Sequence, residues 1–566
     1  MTTDTRIAVV GMSLRYPSAR NKKEFHRMLA EGIAAPADNH QVRGDLLGIP
    51  DYKSLIHNIR LIDGIDEFDN TFFGIVTPEA KEMPPEMRLS LQCSAEALMD
   101  AGYSIRELGE KNCGAVVSHT SGTYRNLLER STLLSFFNNM AGMTGGYLSH
   151  YLKLTGPVYN LDSTCSSSIA AVAAACNHLI MGQADMMIAG GVQICLALNE
   201  QDSKDMQISA LSIGSDQRCI PFDVNAAGFY NGEGVGFVVL KRYDDAVRNG
   251  DNILGIICGC GMYSNSDKAQ TVYAPNAEAQ YKALESAWKM AGVTCNDITE
   301  FEAHGSATKQ GDAAEAQNLR LAFSNRENPQ KVYLTAVKSN LGHTACAAGI
   351  TSLLKVLSGF AHNIVYPIAG FTEAASNLEL DAANVVPVAT GVIVPEGKKR
   401  IADISSYGLN ELNVNVVVKN HTDKDRSVSC AAPQDKFLKC SAKSEAQLRL
   451  YLEHIAEDLT ECDDDIFWDM IYTLNSGRDD FNFRCFIIFE SKEELAEALK
   501  NETEIVKCKP SDKISNADDR NKLRRDYLDG RYIDWKAWYS GRRYKRVPAA
   551  IYPFSKKSIW PAVKQK

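Results

Sequence analysis

Short apolar runs rich in Val and Ile recur from the amino terminus to about residue 420, separated by longer alanine-rich stretches with helical spacing. The runs I-A-V-V, G-A-V-V-S, M-M-I-A-G-G-V, G-F-V-V-L, N-I-L-G-I-I-C and N-V-N-V-V-V predict strands. Between them, P-E-M-R-L-S-L-Q-C-S-A-E-A-L-M-D-A-G, S-S-S-I-A-A-V-A-A-A-C-N-H-L-I-M-G and A-E-A-Q-Y-K-A-L-E-S-A-W-K-M-A-G predict helices that stop at glycine. Strands alternating with helices predict a layered α/β fold.

The pattern breaks between Lys419 and Gln434, a polar stretch without apolar period that reads as a linker, with a domain boundary near residue 425. After it, F-L-K-C-S-A-K-S-E-A-Q-L predicts a strand, a Ser-led cap and an amphipathic helix, and R-C-F-I-I-F with S-K-E-E-L-A-E-A-L repeats that order. The expected organisation is a large domain over 1–425, a small α/β module over 426–510 and a basic, aromatic segment over 511–566 that wraps another surface. The apolar run Ile7 to Val10 is too short for a signal peptide or a membrane span.

Composition narrows the classes. Of 566 residues, 45% are hydrophobic and 23% charged, the balance of an ordinary globular protein. The formal charge of −9 carries no long single-sign block, which argues against a nucleic-acid surface. The 15 cysteines form no C-x-x-C pair, and Cys258 and Cys260 are too close for a zinc knuckle, so no metal site is expected. Reduced thiols in a cytoplasm explain them, several, such as Cys176 and Cys195, lying in apolar runs as small hydrophobes.

One cysteine stands apart. Cys165, in N-L-D-S-T-C-S-S-S-I-A-A-V, lies among small residues just before an alanine-rich helix. Unpaired N–H groups at a helix start lower a thiol pKa from about 8.5 towards 7 or below, and small neighbours permit a sharp turn at which the residue's own N–H can face an oxyanion. A buried structural cysteine is the plainer alternative. His304 and His343 end strand-like runs beside glycine, positions from which two rings can share a cleft as donors or bases; Lys338 lies just before His343.

D-S-T-C-S-S-S, E-A-H-G-S-A-T-K-Q-G-D and V-K-S-N-L-G-H-T closely resemble, in order and spacing, the three signature blocks of β-ketoacyl synthases. The resemblance covers residue 5 to about 420 and is nearest to modular polyketide synthases; the later segments resemble the linker domain and wrapping tail that follow ketosynthases there. It implies a thiolase-like fold of two related halves in five αβαβα layers, in a homodimer. It also implies that Cys165 takes an acyl chain from the phosphopantetheine of an acyl carrier protein, with no intrinsic cofactor or metal. His304 and His343 then hydrogen-bond the carbonyl of a malonyl thioester as it loses carbon dioxide, and Lys338 holds the electrostatics of the pair. The oxyanion donors are the backbone N–H groups of Cys165 and Leu409, and Ser306, Thr308, Asn340, Tyr407, Gly408 and Asn410 occupy pocket positions.

Several residues depart from the family pattern. Ala307 and Glu411 stand where it has glycine, Leu412 where it has threonine, Ala227 in an aspartate position, and Ala345 removes a carboxylate expected to partner Lys338. These leave a competing reading: acyl transfer without decarboxylation, or attack of an amine or alcohol on the acyl-cysteine. Retention of both histidines favours condensation. No G-H-S-x-G acyltransferase or G-x-D-S-L carrier segment occurs, an arrangement resembling trans-acyltransferase assembly lines served by a separate acyltransferase and other modules. The opening methionine favours a free-standing enzyme over an excised one. Arg542, Arg543, Lys545 and Arg546 are candidates for meeting an acidic carrier, against a plain solvated segment. A non-catalytic partner subunit would lack Cys165, and a thiolase would need a second late cysteine, whereas none lies between Cys346 and Cys430.

Overall fold

The computed structural model describes residues 5–562 except 39, 57–58, 110, 121, 131, 210–217, 267–268, 329, 423–431 and 502. The expected boundary near residue 425 therefore lies outside the described residues.

The Val/Ile runs all form strands. The first half of the sheet comprises β1 (Ile7–Arg15), β2 (Cys113–Ser118), β3 (Val158–Asn160), β4 (Met186–Gln193) and β5 (Gly234–Arg242). The second comprises β6 (Gly255–Ser264), β7 (Glu300–Glu302), β8 (Val332–Thr335), β9 (Val385–Pro387), β10 (Ile401–Tyr407) and β11 (Leu412–Lys419). Both follow one pairing rule. In the first, β1–β5 and β5–β4 are antiparallel, then β4–β2 and β2–β3 parallel. In the second, β6–β11 and β11–β10 are antiparallel, then β10–β7, β7–β8 and β8–β9 parallel. A short antiparallel pairing, Ile7–Val9 against Gly255–Ile257, joins them into one 11-stranded sheet.

The helices complete the layers. α1 (Pro85–Asp100) packs outside the first half and α3 (Ala277–Ala291), with α4 (Lys309–Phe323), outside the second. Between the halves lie α2 (Ser167–Ile180) and α5 (Ala348–Ala361), each touching strands of both. Small residues let these two central helices approach closely: a Cβ on Gly349 would sit 2.5 Å from Ile169 Cβ. Helices packed against two sheet faces bury nearly all their side chains, which is why both are apolar almost all round.

From residue 437 the chain builds a separate, smaller sheet. β12 (Phe437–Ala442), β13 (Phe483–Ile488) and β14 (Val506–Lys507) form an antiparallel sheet, covered by α6 (Glu445–Glu461), α7 (Phe467–Ser476) and α8 (Lys492–Lys500). Ser444 and Ser491 cap α6 and α8 through the N–H groups of Gln447 and Glu494. The tail begins with a helix the sequence pattern did not suggest, α9 (Arg520–Leu528), and then runs back over both bodies. Its rings Tyr552 and Phe554 pack on Phe72, Trp560 donates to the Leu46 carbonyl at 2.7 Å, and the Ile559 carbonyl accepts from buried Arg88.

Candidate active site

Between β3 and α2 the chain makes one tight turn, Thr164–Ser166, with Cys165 at its centre. Thr164 has φ 56°, a left-handed conformation that costs a non-glycine residue roughly 1–2 kcal/mol. Hydrogen bonds hold it there: Asp162 accepts the Thr164 N–H at 2.8 Å, and Ser163 N–H donates to Ser167 Oγ at 2.8 Å. The backbone N–H groups of Cys165 and Leu409 both point at the sulfur, and Lys338 is the cation acting on it. Burial nevertheless outweighs these three, and the thiol sits above its ordinary range. The expectation that the helix start would bring it to 7 or below is corrected: desolvation penalises the thiolate more than the donors favour it.

His304 follows β7. Its N–H donates to Glu315 and to Ser405 Oγ, both at 2.8 Å, and Gly305 N–H donates to the other Glu315 oxygen at 2.9 Å. Its Nδ1 accepts the Tyr407 N–H at 3.3 Å and lies 3.4 Å from Lys338 Nζ. His343 follows the left-handed Gly342, and its Nδ1 accepts the Ala345 N–H at 3.1 Å. The two imidazoles stand edge to face with centroids 5.6 Å apart, and Phe229 closes the far side of His343 at 4.9 Å. Burial and the Lys338 charge hold both rings well below the ordinary histidine range, hence neutral. Since each Nδ1 accepts, each ring carries its proton on Nε2 as a donor.

Lys338 is 3% exposed and donates to the His304 carbonyl. Burial lowers its pKa, opposed first by Cys165 and then by Glu315. Ala345 brings Lys338 no carboxylate, and the carboxylate that acts on it most strongly is Glu315, on α4. Sequence reasoning missed Glu315. The available signal was an acidic residue inside a helix directly after the His304 block, too common a feature to single out. The structure distinguishes it by burial, which pushes its carboxyl up, and by the hydrogen bonds of His304, Gly305 and Ser405.

The remaining predicted residues separate into two groups. Tyr407, Gly408 and Leu409 form the wall at the sulfur. The Tyr407 ring tilts over His304 at 5.4 Å, and a Cβ at Gly408 would fall 2.4 Å from the Ser163 carbonyl. Asn410 is exposed on the same turn. Ser306 and Thr308 share a hydrogen bond of 2.8 Å, and Thr308 caps α4. Asn340 does not offer its side-chain amide to the pocket. It is fully buried and donates to the Ile33 carbonyl at 2.9 Å while its own carbonyl takes the Ala35 N–H, a brace for the Lys338 segment.

The glycine departures carry strain. Ala307 and Glu411 keep left-handed backbone at φ 56° and 71°. Glu411 closes the hairpin between β10 and β11, its carbonyl accepting from Asn265 N–H and Asn413 Nδ2. Leu412 opens β11 opposite Ser264, and Ala227 lies in the loop before Gly228, both half-buried. The proposed basic patch is partly consumed: Arg542 pairs with Asp435, and Arg546 is buried against Tyr103, Glu107 and Asp251. A separate cleft of about 550 Å³ between the large domain and the module, lined by Arg106, Lys443, Asp480 and Tyr532, does not include Cys165. Among the described residues no group of His, Cys, Asp and Glu could hold a metal, and no helix is long and apolar enough to cross a membrane.

Comparison with known proteins places the chain in a family. Residues 4–246 match the N-terminal and 254–372 the C-terminal domain of β-ketoacyl synthases, and 436–499 match the CurL-like polyketide synthase C-terminal family. The chain is 31% identical over 98% of its length to polyketide synthase PksL of Bacillus subtilis, of which it spans 13%. It superposes on the ketosynthase from module 6 of the bacillaene synthase of Bacillus subtilis with a TM-score of 0.85 at 29% identity, covering 98% of this chain and 100% of that one. A bacillaene ketosynthase of Bacillus amyloliquefaciens gives 0.84 at 25%, covering 99% and 100%. With the paired half-sheets, the two central helices and the Cys165 turn in place, the chain belongs to the β-ketoacyl synthase family, with its thiolase-like fold, in the ketosynthase-plus-linker form of polyketide synthases.

Proposed function

We propose that the chain is a polyketide β-ketoacyl synthase using Cys165, His304, His343 and Lys338. The carrying observation is that two imidazoles, each with Nδ1 already accepting, stand edge to face within the field of Lys338, the cation that also acts on a thiol faced by two backbone N–H groups. Cys165 attacks the thioester of an acyl-carrier phosphopantetheine; the new C–S bond forms, the old one breaks, and the thiol proton leaves with the pantetheine sulfur. The N–H groups of Cys165 and Leu409 receive the tetrahedral oxyanion. Malonyl-carrier then enters, and the two Nε2–H donors stabilise the enolate formed as carbon dioxide departs. The enolate carbon attacks the acyl-cysteine, and the sulfur leaves to be reprotonated.

Neutral donors suit an enolate, whereas plain acyl transfer needs no second imidazole, so condensation is favoured over the amide- or ester-forming alternative. Burial, with the Lys338 charge behind it, keeps both rings unprotonated. The organisation 1–425, 426–510 and 511–566, the acyl carrier partner, a separate acyltransferase and a cytoplasmic setting form part of the same reading. A homodimer is supported by the edge strand β3, which among the described residues pairs only with β2, and by the exposed Leu133, Phe136, Phe137 and Met140.

The test is turnover: acyl-carrier followed by malonyl-carrier, with carbon dioxide and the β-ketoacyl product measured. Both products are expected. Acylation of Cys165 without carbon dioxide release would contradict condensation and leave the transfer reading.

A further inference from the structure

Glu86, at the start of α1, is a buried carboxyl that the proposed mechanism does not use. It is 3% exposed, and its Oε2 has no hydrogen-bond partner. Neither neighbouring cation hydrogen-bonds it: Arg88 donates to the Ile559 carbonyl and faces the rings of Tyr124 and Trp560, its own Nε and Nη2 also without a partner, and Arg43 forms a bidentate pair with Glu233 at 2.7 Å. A buried carboxyl oxygen without a donor or acceptor is unfavourable, and such groups in native proteins mark a missing partner.

A line of small residues leads to it from the nucleophile. The Cys346 thiol lies within electrostatic reach of both Cys165 and Glu86 and takes the Thr120 N–H. Ser118 Oγ donates to the Cys346 carbonyl at 3.3 Å. Further along that loop, a Cβ on Gly122 would stand 2.9 Å from Glu86 Oε1, so only glycine leaves the carboxyl uncovered. Thr123 ties the loop to the Leu196 carbonyl at 2.9 Å. An acyl chain on Cys165 that extends along Cys346, Thr120 and Gly122 therefore reaches a polar end.

We propose that Glu86 is a specificity-determining residue at the distal end of the acyl pocket, and that it selects acyl chains carrying a hydroxyl or carbonyl oxygen over saturated hydrocarbon chains. The inference rests on the acyl-cysteine reading above. Burial pushes the Glu86 carboxyl up to about 7, so below that pH the neutral acid can both donate and accept. A site built around a buried hydrogen-bonding group rejects the analogue lacking the matching group, because the protein group is left unpaired.

The experiment loads the protein with six-carbon acyl thioesters, hexanoyl, 3-hydroxyhexanoyl and 5-hydroxyhexanoyl, and follows the adduct on Cys165 by mass spectrometry. The parent is expected to load one hydroxylated chain at least about tenfold faster than hexanoyl. Glu86→Gln, which keeps a donor and an acceptor, retains the preference; Glu86→Leu loses or inverts it while still loading hexanoyl, which also shows that the variant is folded. Loading of all three chains without preference, or a preference that survives Glu86→Leu, overturns the assignment of Glu86 alone. Failure of every thioester to load Cys165 overturns the acyl-cysteine reading and this inference with it.

Discussion

Two turns of the same build lie against each other at the centre of the molecule. Thr164–Cys165–Ser166 leads into α2, and Ala345–Cys346–Ala347 leads into α5. Each is a single tight turn whose first residue is left-handed, φ 56° at Thr164 and 41° at Ala345, and each places a thiol at the start of a central helix. Because the two half-sheets follow the same pairing rule, these turns are counterparts in the two halves. Their thiols differ in what faces them. Cys165 is partly exposed and meets two N–H groups and the Lys338 charge. Cys346 is 2% exposed; its thiol donates to the Val192 carbonyl at 3.0 Å and Gln193 Oε1 at 3.4 Å and takes one N–H, that of Thr120, while burial and then the Asp162 charge push it up to about 12. A helix start alone does not make a nucleophile; the groups brought to it from distant strands do.

The comparison breaks most sharply under substitution of the two sulfurs. Cys165→Ala is expected to lower acyl loading by at least about 10³-fold, while Cys346→Ala leaves it within about twofold, measured as the rate of acyl adduct formation. Next in size, His304→Gln or His343→Gln should cut carbon dioxide release by about 10²–10³-fold with acyl loading largely kept, since each removes one donor to the enolate. Lys338→Met removes the leading group that opposes desolvation of Cys165, and should raise the pH midpoint of its alkylation by about one unit or more without altering Cys346.

The histidine pair adds a stability signature. Both rings are neutral when folded and have the ordinary value of 6.5 when unfolded, so below 6.5 the unfolded chain binds protons that the folded chain refuses. Their contribution is present above 6.5 and is lost as pH falls below it, by up to about 1.4 kcal/mol per pH unit per ring. Denaturant unfolding between pH 5 and 7, compared with the double His→Gln variant, should show that slope only in the parent. The smallest effect is Ala345→Gly, which relieves left-handed strain at the quiet turn and should stabilise by up to about 1 kcal/mol, read as a rise in Tm.

Much of this was legible in the chain. The Val/Ile runs became strands because β-branched residues fit pleated, doubly covered sheets, and the S-S-S-I-A-A-V-A-A-A stretch became a central helix because alanine permits close packing on both sides. The blocks holding Cys165, His304, His343 and Lys338 converge. What the pattern did not reveal depends on contacts distant in sequence. The direction of the Cys165 shift is set by burial, which outweighs the Lys338 charge and the Leu409 N–H, and a carboxylate acting on Lys338 comes from α4. The equivalence of Cys165 and Cys346 resides in backbone angles and strand pairing, which T-C-S-S-S and A-C-A-A-G do not display. The basic tail reads as a docking patch until its arginines meet Asp435 and Tyr103.

The most direct measurement is alkylation of the native protein by iodoacetamide from pH 7 to 11, with modification at Cys165 and Cys346 resolved by peptide mass spectrometry. The account predicts that Cys165 is modified with a rate rising steeply through pH 9 and above, while Cys346 stays unmodified. Equal modification of the two thiols across that range, or faster reaction at Cys346, would contradict it.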